Sequence, residues 1–479
     1  MIHPDQPNAR SRSVTPVALA VALGLGALPA AAAPASPNEK IVIEAGTAYL
    51  GGAEQIENAV IVVEDGRITQ IGTADEVQKP WDAPVFGGPD HVAFPGFVEA
   101  HANSGMDRSN ENIDVTPFLD VRDSIDPINL YFEDCLRWGT TTVNVQQGNN
   151  TVIAARGRVV RPTGMTVEEM TVRPLHGIKL SASPKNGKSR ATQAQALRAA
   201  FDGLRRYLEE IVDDARQGGQ LAKREALFQG RDWEAEDPEG RAMQGSAWTV
   251  DGLELIPRGA IDEKQAPLLA LVEGRLDAYF YCAAPREVHT AIDVARENGF
   301  LERTTFVLGA SCWKAADVIA ATGRPVILDS PLEHAEIDDE TGEETRTFVP
   351  GVFAEKGIPF ALSARGSNSN SLGFQAARAV ALGMDAGAAL DAVTRMPAEL
   401  IGLGDDVGSL AVGKLGNVLL LTGEPLGAQT WVDHAFIEGR HVYDRSQDTR
   451  NKYIFEGQQP VGAGASDGPG AAGPITTER

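Results

Sequence analysis

The sequence predicts an α/β protein: a TIM-like (β/α)8 barrel with a small β-sandwich built from both chain ends. Three observations carry this. Short apolar runs alternate with helical stretches through the middle of the chain, hairpin-like segments flank that middle on both sides, and 479 residues suffice for one large domain with a smaller companion. A doubly wound open sheet is the runner-up.

The elements follow in chain order. Residues 1–35 read as a signal peptide: Arg10 and Arg12 precede an apolar run that ends in small residues, with cleavage after Ala32 or Ala35. The expected location is therefore periplasmic or secreted, with no membrane association after cleavage. Residues 36–93 hold β-branched runs broken by Gly-Gly and Asp-Gly, the punctuation of hairpins. They are expected to join residues 405–450, again short strands with Gly-rich turns, in a composite β-sandwich.

Residues 94–404 form the expected barrel. Its candidate strands are "AFPGFVEAH", "TTTVNVQ", "LHGIKLS", "AYFYCAA", "TTFVLGA", "RPVILD" and "PFALSA", separated by helical stretches such as "AQALRAAFDGLRRYLEEIVDDARQ". The segment "FQGRDWEAEDPEGRAMQGSAWTVDGLE" breaks the alternation and reads as a surface excursion, and "PLEHAEIDDETGEETRTF" reads as an acidic loop. Residues 451–479, rich in Gly, Pro and Ala, are expected to be disordered.

Charge and cysteine content narrow the function classes. Acidic residues outnumber basic ones, 66 to 43, for a net charge of −23, which argues against nucleic acid as partner because phosphate binding needs a basic surface. The three cysteines, Cys135, Cys282 and Cys312, show no zinc-ribbon spacing and permit one disulfide at most. Neither a nucleophile elbow, nor a phosphate loop, nor a His-Glu-x-x-His helix is present.

In a barrel of this kind the chemistry sits where strands end. His101 ends the first candidate strand, where an imidazole can coordinate metal or meet a substrate. The segments "PGFVEAHAN", "LRWGTTTVNV", "ALDAVTRMPAELIGL" and "VGSLAVGKLGNVLLLTGEPL" resemble the amidohydrolase superfamily, in particular its imidazolonepropionase-like branch, over residues 40–450. The resemblance implies a hydrolase of non-peptide carbon–nitrogen bonds, using one or two divalent ions, usually zinc, to activate water. It implies metal ligands after strands one, five and six, a lysine, and an aspartate after strand eight.

Position by position, His101 is kept and the second histidine of strand one is Asn103, whose amide oxygen is a poorer zinc ligand than imidazole. Lys179 is the counterpart of the lysine, and His176 stands three residues before it. Cys282 replaces the strand-five histidine, Gly309 or Ala310 the strand-six one, and Arg365 the aspartate. An arginine cannot serve as base and repels a dication, yet it binds a carboxylate well. His101 and Lys179 are thus the candidate metal residues; Asn103, Cys282 and Arg365 are the candidate ligand-pocket residues; no catalytic residue is assigned.

Two functions follow. One is a hydrolase with a reduced zinc site acting on a small-molecule substrate. The other is a metal-free pseudoenzyme that binds a small anionic ligand, or a non-catalytic partner of an active relative. The family also suggests a homo-oligomer.

Overall fold

The computed structural model describes residues 40–108, 112–219, 240–243, 248–329, 331–364 and 371–451. The expected signal peptide, nearly all of the C-terminal tail, much of the surface excursion and Arg365 lie outside these residues. Among the described residues no helix is long and apolar enough to cross a membrane.

Strands β1 (Lys40–Gly51), β2 (Glu54–Glu64), β3 (Arg67–Thr73) and β4 (Val85–Pro95) open the chain. The β2–β3 turn is Asp65-Gly66, with φ of 50° and 81°. Positive φ at both central residues is the two-residue hairpin geometry that Asp-Gly favours. Residues from the far end of the chain complete the sheet: β15 (Val418–Leu421), β16 (Val432–Ile437) and β17 (Arg440–Asp444). The order is β17-β16-β15-β4-β1-β2-β3. Both chain ends therefore meet, as expected, but in one continuous seven-stranded sheet. The join is the antiparallel pairing of β4 with β15, which sets Pro95 opposite Val418 and Val92 opposite Leu421.

The second sheet has eight strands. They are β5 (Phe97–Ala102), β6 (Thr140–Val145), β7 (Ile153–Val160), β8 (Thr171–Ser181), β9 (Ala278–Cys282), β10 (Thr304–Leu308), β11 (Val326–Leu328) and β14 (Phe360–Leu362). The order β14-β11-β10-β9-β8-β7-β6-β5 makes a nearly closed barrel. One strand departs from the expected pattern: β7 is antiparallel to both β6 and β8. Only residues 146–152 join β6 to β7, too few for the crossover of a dozen or more residues that a parallel neighbour requires. The acidic segment after β11 is likewise no loop, because β12 (Glu333–Ile337) and β13 (Glu344–Phe348) pair as a hairpin.

Helices α1 (Leu130–Arg137), α2 (Val167–Met170), α3 (Arg190–Gln217), α4 (Ala266–Val272), α5 (Pro285–Glu297), α6 (Ala316–Ala320), α7 (Val349–Glu355), α8 (Leu372–Ala381), α9 (Ala386–Asp391) and α10 (Arg395–Leu400) lie between the strands. α3 shows why such segments are helical. Ser189 caps it by accepting from the Thr192 amide, and Leu197, Phe201, Leu204, Leu208 and Val212 recur at three- and four-residue spacing on its buried face.

Strand alternation sorts the barrel side chains. Ile178, Leu180, Phe280, Cys282, Phe306, Leu308 and Leu362 point outward into the helical layer. Val98, Ala100, Tyr279, Val307, Ile327 and Ala361 fill the interior together with Ala398 and Ile401 of the α10 region. Between β5 and β14 the backbone of Ala392-Val393 intervenes: Leu362 N donates to Ala392 O at 2.9 Å and Val98 N to Val393 O at 3.0 Å.

Candidate active site

The site begins with an irregularity in β5. Glu99 is opposite Val143 but Ala102 is opposite Val145, so β5 carries one residue more than β6 across this step. Such a bulge turns side chains that regular alternation would leave on the other face. Without it His101 would share the outward face of Phe97; with it, His101 reaches the interior and meets Lys179.

His101 and Lys179 are both fully buried, with His101 Nε2 2.5 Å from Lys179 Nζ. An ammonium can only donate, so Nε2 accepts and the ring proton belongs on Nδ1. Nδ1 faces Asp329 Oδ1 at 3.8 Å. Lys179 Nζ also lies 5.5 Å from the centre of the Tyr281 ring, within cation–π range. The result is a buried row, Asp329–His101–Lys179, at the ends of β11, β5 and β8.

Glu99 secures the seam beside this row. Its Oε1 accepts from His101 N at 3.2 Å and its Oε2 from Ala364 N at 2.9 Å, while Ser363 Oγ donates to His101 O at 3.3 Å. Burial raises the Glu99 carboxyl to about 7, against the lowering effect of the Ala364 and His101 amides; the Asp329 charge adds to the rise.

The structure brings His101 and Lys179 together and adds Asp329 and Glu99, which sequence reading missed. A signal existed for each: an aspartate closing the apolar run "RPVILD", and an acid inside the apolar strand that carries His101. Asn103 is half-buried just beyond β5. Arg365 lies outside the described residues.

Cys282 needs correction as a pocket residue. It is fully buried on the outward face of β9, where Cys312 Sγ donates to its carbonyl at 3.2 Å. Burial, reinforced by Cys312 and Glu287, holds its thiol far above the ordinary value, so it is no thiolate ligand. The interior residues of β9 are Tyr279 and Tyr281. His176 is spent as well, since its Nε2 lies 2.6 Å from the Tyr279 hydroxyl and burial lowers its pKa to about 3. His91, His434 and His441 belong to the seven-stranded sheet, with His434 Nδ1 3.0 Å from His441 Nε2.

These residues do not fit a zinc centre. The strand-one imidazole nitrogen is engaged by an ammonium, and β9 presents tyrosines to the interior. At Gly309, where strand six would carry a histidine, a Cβ would fall 2.9 Å from Ala283 O, so a side chain there demands a backbone shift. Among the described residues no group of three His, Cys, Asp or Glu side chains is arranged to hold a metal ion.

Residues 283–442 match the model of the amidohydrolase family. The fold is similar to an amidohydrolase from Thermotoga maritima MSB8, with a TM-score of 0.66 and 21% identity, over 85% of this chain and 100% of that one. A 56-residue stretch is 39% identical to a 5-methylthioadenosine/S-adenosylhomocysteine deaminase from Thermodesulfovibrio yellowstonii. That stretch spans 11% of this chain and only 13% of the deaminase.

Fold and site together define an α/β-barrel protein with ionisable groups at the strand ends. Residues 283–442 carry the sequence pattern of the amidohydrolase family, whose members usually bind a divalent metal.

Proposed function

We propose that this is an exported, metal-free member of the superfamily whose barrel mouth binds a small anionic ligand, with a fixed protein cation standing where relatives place a metal. One observation carries the reading: the Lys179 ammonium sits 2.5 Å from His101 Nε2, the atom a zinc ion would need. A lysine so placed supplies positive charge but no Lewis-acid water, which separates ligand recognition from the family's hydrolysis. Arg365, two residues beyond Ser363 in the sequence, is the second cation this reading assigns to the ligand, as a bidentate partner for a carboxylate. In the cell such a protein would serve as a ligand-binding partner of an active relative rather than as a catalyst.

Elemental analysis of the protein, purified from zinc-supplemented medium, tests this. Sub-stoichiometric metal is expected, with a thermal unfolding midpoint indifferent to chelator. The competing reading is a hydrolase of non-peptide carbon–nitrogen bonds with one zinc at a reduced site. It draws on the 3.8 Å approach of Asp329 to His101, which offers a second donor. It predicts about one zinc per chain and loss of stability on chelation, and that outcome would displace the metal-free proposal.

A further inference from the structure

We infer that a cavity of about 430 Å³, where helix α8 faces the connection between β15 and β16, is a second binding site, for a small aromatic molecule that carries a carbonyl oxygen. Phe97 and Trp138 line it as well, so it lies between the barrel and the seven-stranded sheet. Its size is that of a small-molecule pocket, and such pockets favour the junction of two folding units.

The local sequence explains why the space is open. One stripe of α8, Leu372, Ala376 and Ala379, is buried in the core, whereas Phe374, Ala377, Arg378 and Ala381, at three- and four-residue spacing, line the cavity. The β15–β16 connection adds Gly427 and Ala428, so small side chains leave a gap that larger ones would fill. Two aromatic rings stay at its rim: Phe374 is 51% exposed and Trp431 45%. Exposed apolar surface around a concavity marks a place where something binds.

Arg378 supplies the polar contact. Arg137, also on the lining, is committed elsewhere: its Nε donates to Asp448 Oδ2 at 2.6 Å and its Nη1 to Asp134 Oδ1 at 2.8 Å. The Thr430 hydroxyl donates to the Glu424 carbonyl at 2.7 Å, and Ser371 Oγ accepts from Phe374 N at 3.2 Å. Among the described residues the half-buried Arg378 guanidinium makes no hydrogen bond or ion pair. A guanidinium can only donate, so it calls for an oxygen acceptor, and the aromatic walls call for a ring. The carboxylates on Arg137 balance its charge, so a neutral carbonyl serves. The cavity is separate from the barrel mouth, because Phe97 precedes His101 by four residues on β5, about 13 Å of extended strand.

Calorimetric titration of hydrocinnamamide into the full chain tests the assignment. Its comparators are propylbenzene, which lacks the oxygen, and the cyclohexyl analogue of the amide, which lacks the aromatic ring. Saturable hydrocinnamamide binding is expected, about tenfold tighter than propylbenzene, as one hydrogen bond from a charged donor provides, and severalfold tighter than the cyclohexyl analogue. Arg378→Met should erase the preference over propylbenzene. Ala377→Trp, which fills the cavity, should abolish binding; thermal unfolding of each variant confirms its fold. Absence of hydrocinnamamide binding overturns the assignment, as does equal binding of either comparator. Binding that survives Ala377→Trp and weakens with Lys179→Met belongs to the barrel mouth and overturns it too. Binding that appears only once residues 452–479 are removed assigns the cavity to the chain's own tail, which also overturns it.

Discussion

At the residue scale the structure turns on which way a side chain faces. His101 is conspicuous as a polar residue ending an apolar strand, whereas Lys179 is picked out only by the family resemblance of its segment. Cys282 was misplaced by one position of alternation, since a single-residue change of register exchanges the two faces of a strand. Asp329 closes the short apolar run "RPVILD", where an aspartate reads equally well as a turn residue. Lys179→Met removes the hydrogen-bond partner of the buried His101 Nε2 and should cost about 1–3 kcal/mol in urea denaturation. The loss should be smaller in an Asp329→Asn background, the mark of coupled residues. Glu99 has its pKa raised from 4.5 to about 7 in the folded protein, so the folded state binds that proton more tightly than the unfolded chain. Its contribution is complete below pH 4.5 and is lost as the pH rises to about 7. Glu99→Gln, which cannot titrate, should flatten the stability profile across that window.

At the element scale, the strand and helix periods exposed most of the barrel but not its irregularities. β7 escaped because "IAARGRVV" is buried on both faces and shows no alternation. The short connection before it was the available clue to its reversed direction. The β5 bulge leaves no trace in composition, although it is the feature that aims His101 inward. The β12–β13 hairpin was concealed by its charge, while Gly342, at φ of 71°, marks its turn. α3 was plain from its spacing and offers a calibrating test. Leu204→Ala should cost about 2–5 kcal/mol by leaving a cavity under the helix. Ser189→Ala should cost about 1 kcal/mol by removing the cap. Both are read from denaturant midpoints.

At the scale of the whole molecule, the two chain ends depend on each other. β15 contributes Val418, Leu419 and Leu420, all fully buried, and pairs directly with β4. Deleting residues 418–444 should therefore abolish cooperative unfolding in calorimetry, since β4 would lose its neighbour and the sheet three strands. This mutual dependence was readable from the paired β-rich flanks, whereas the single-sheet arrangement was not, because strand lengths say nothing of pairing order. The β4–β15 join also sets a timetable. Everything from residue 96 to residue 417 must be synthesised before β4 meets its partner, roughly 15–60 s at 5–20 residues per second. For that interval the growing chain presents an open strand edge to its surroundings. Slow release from the ribosome, or a holding chaperone, should raise the yield of native protein more than any added stability in the barrel.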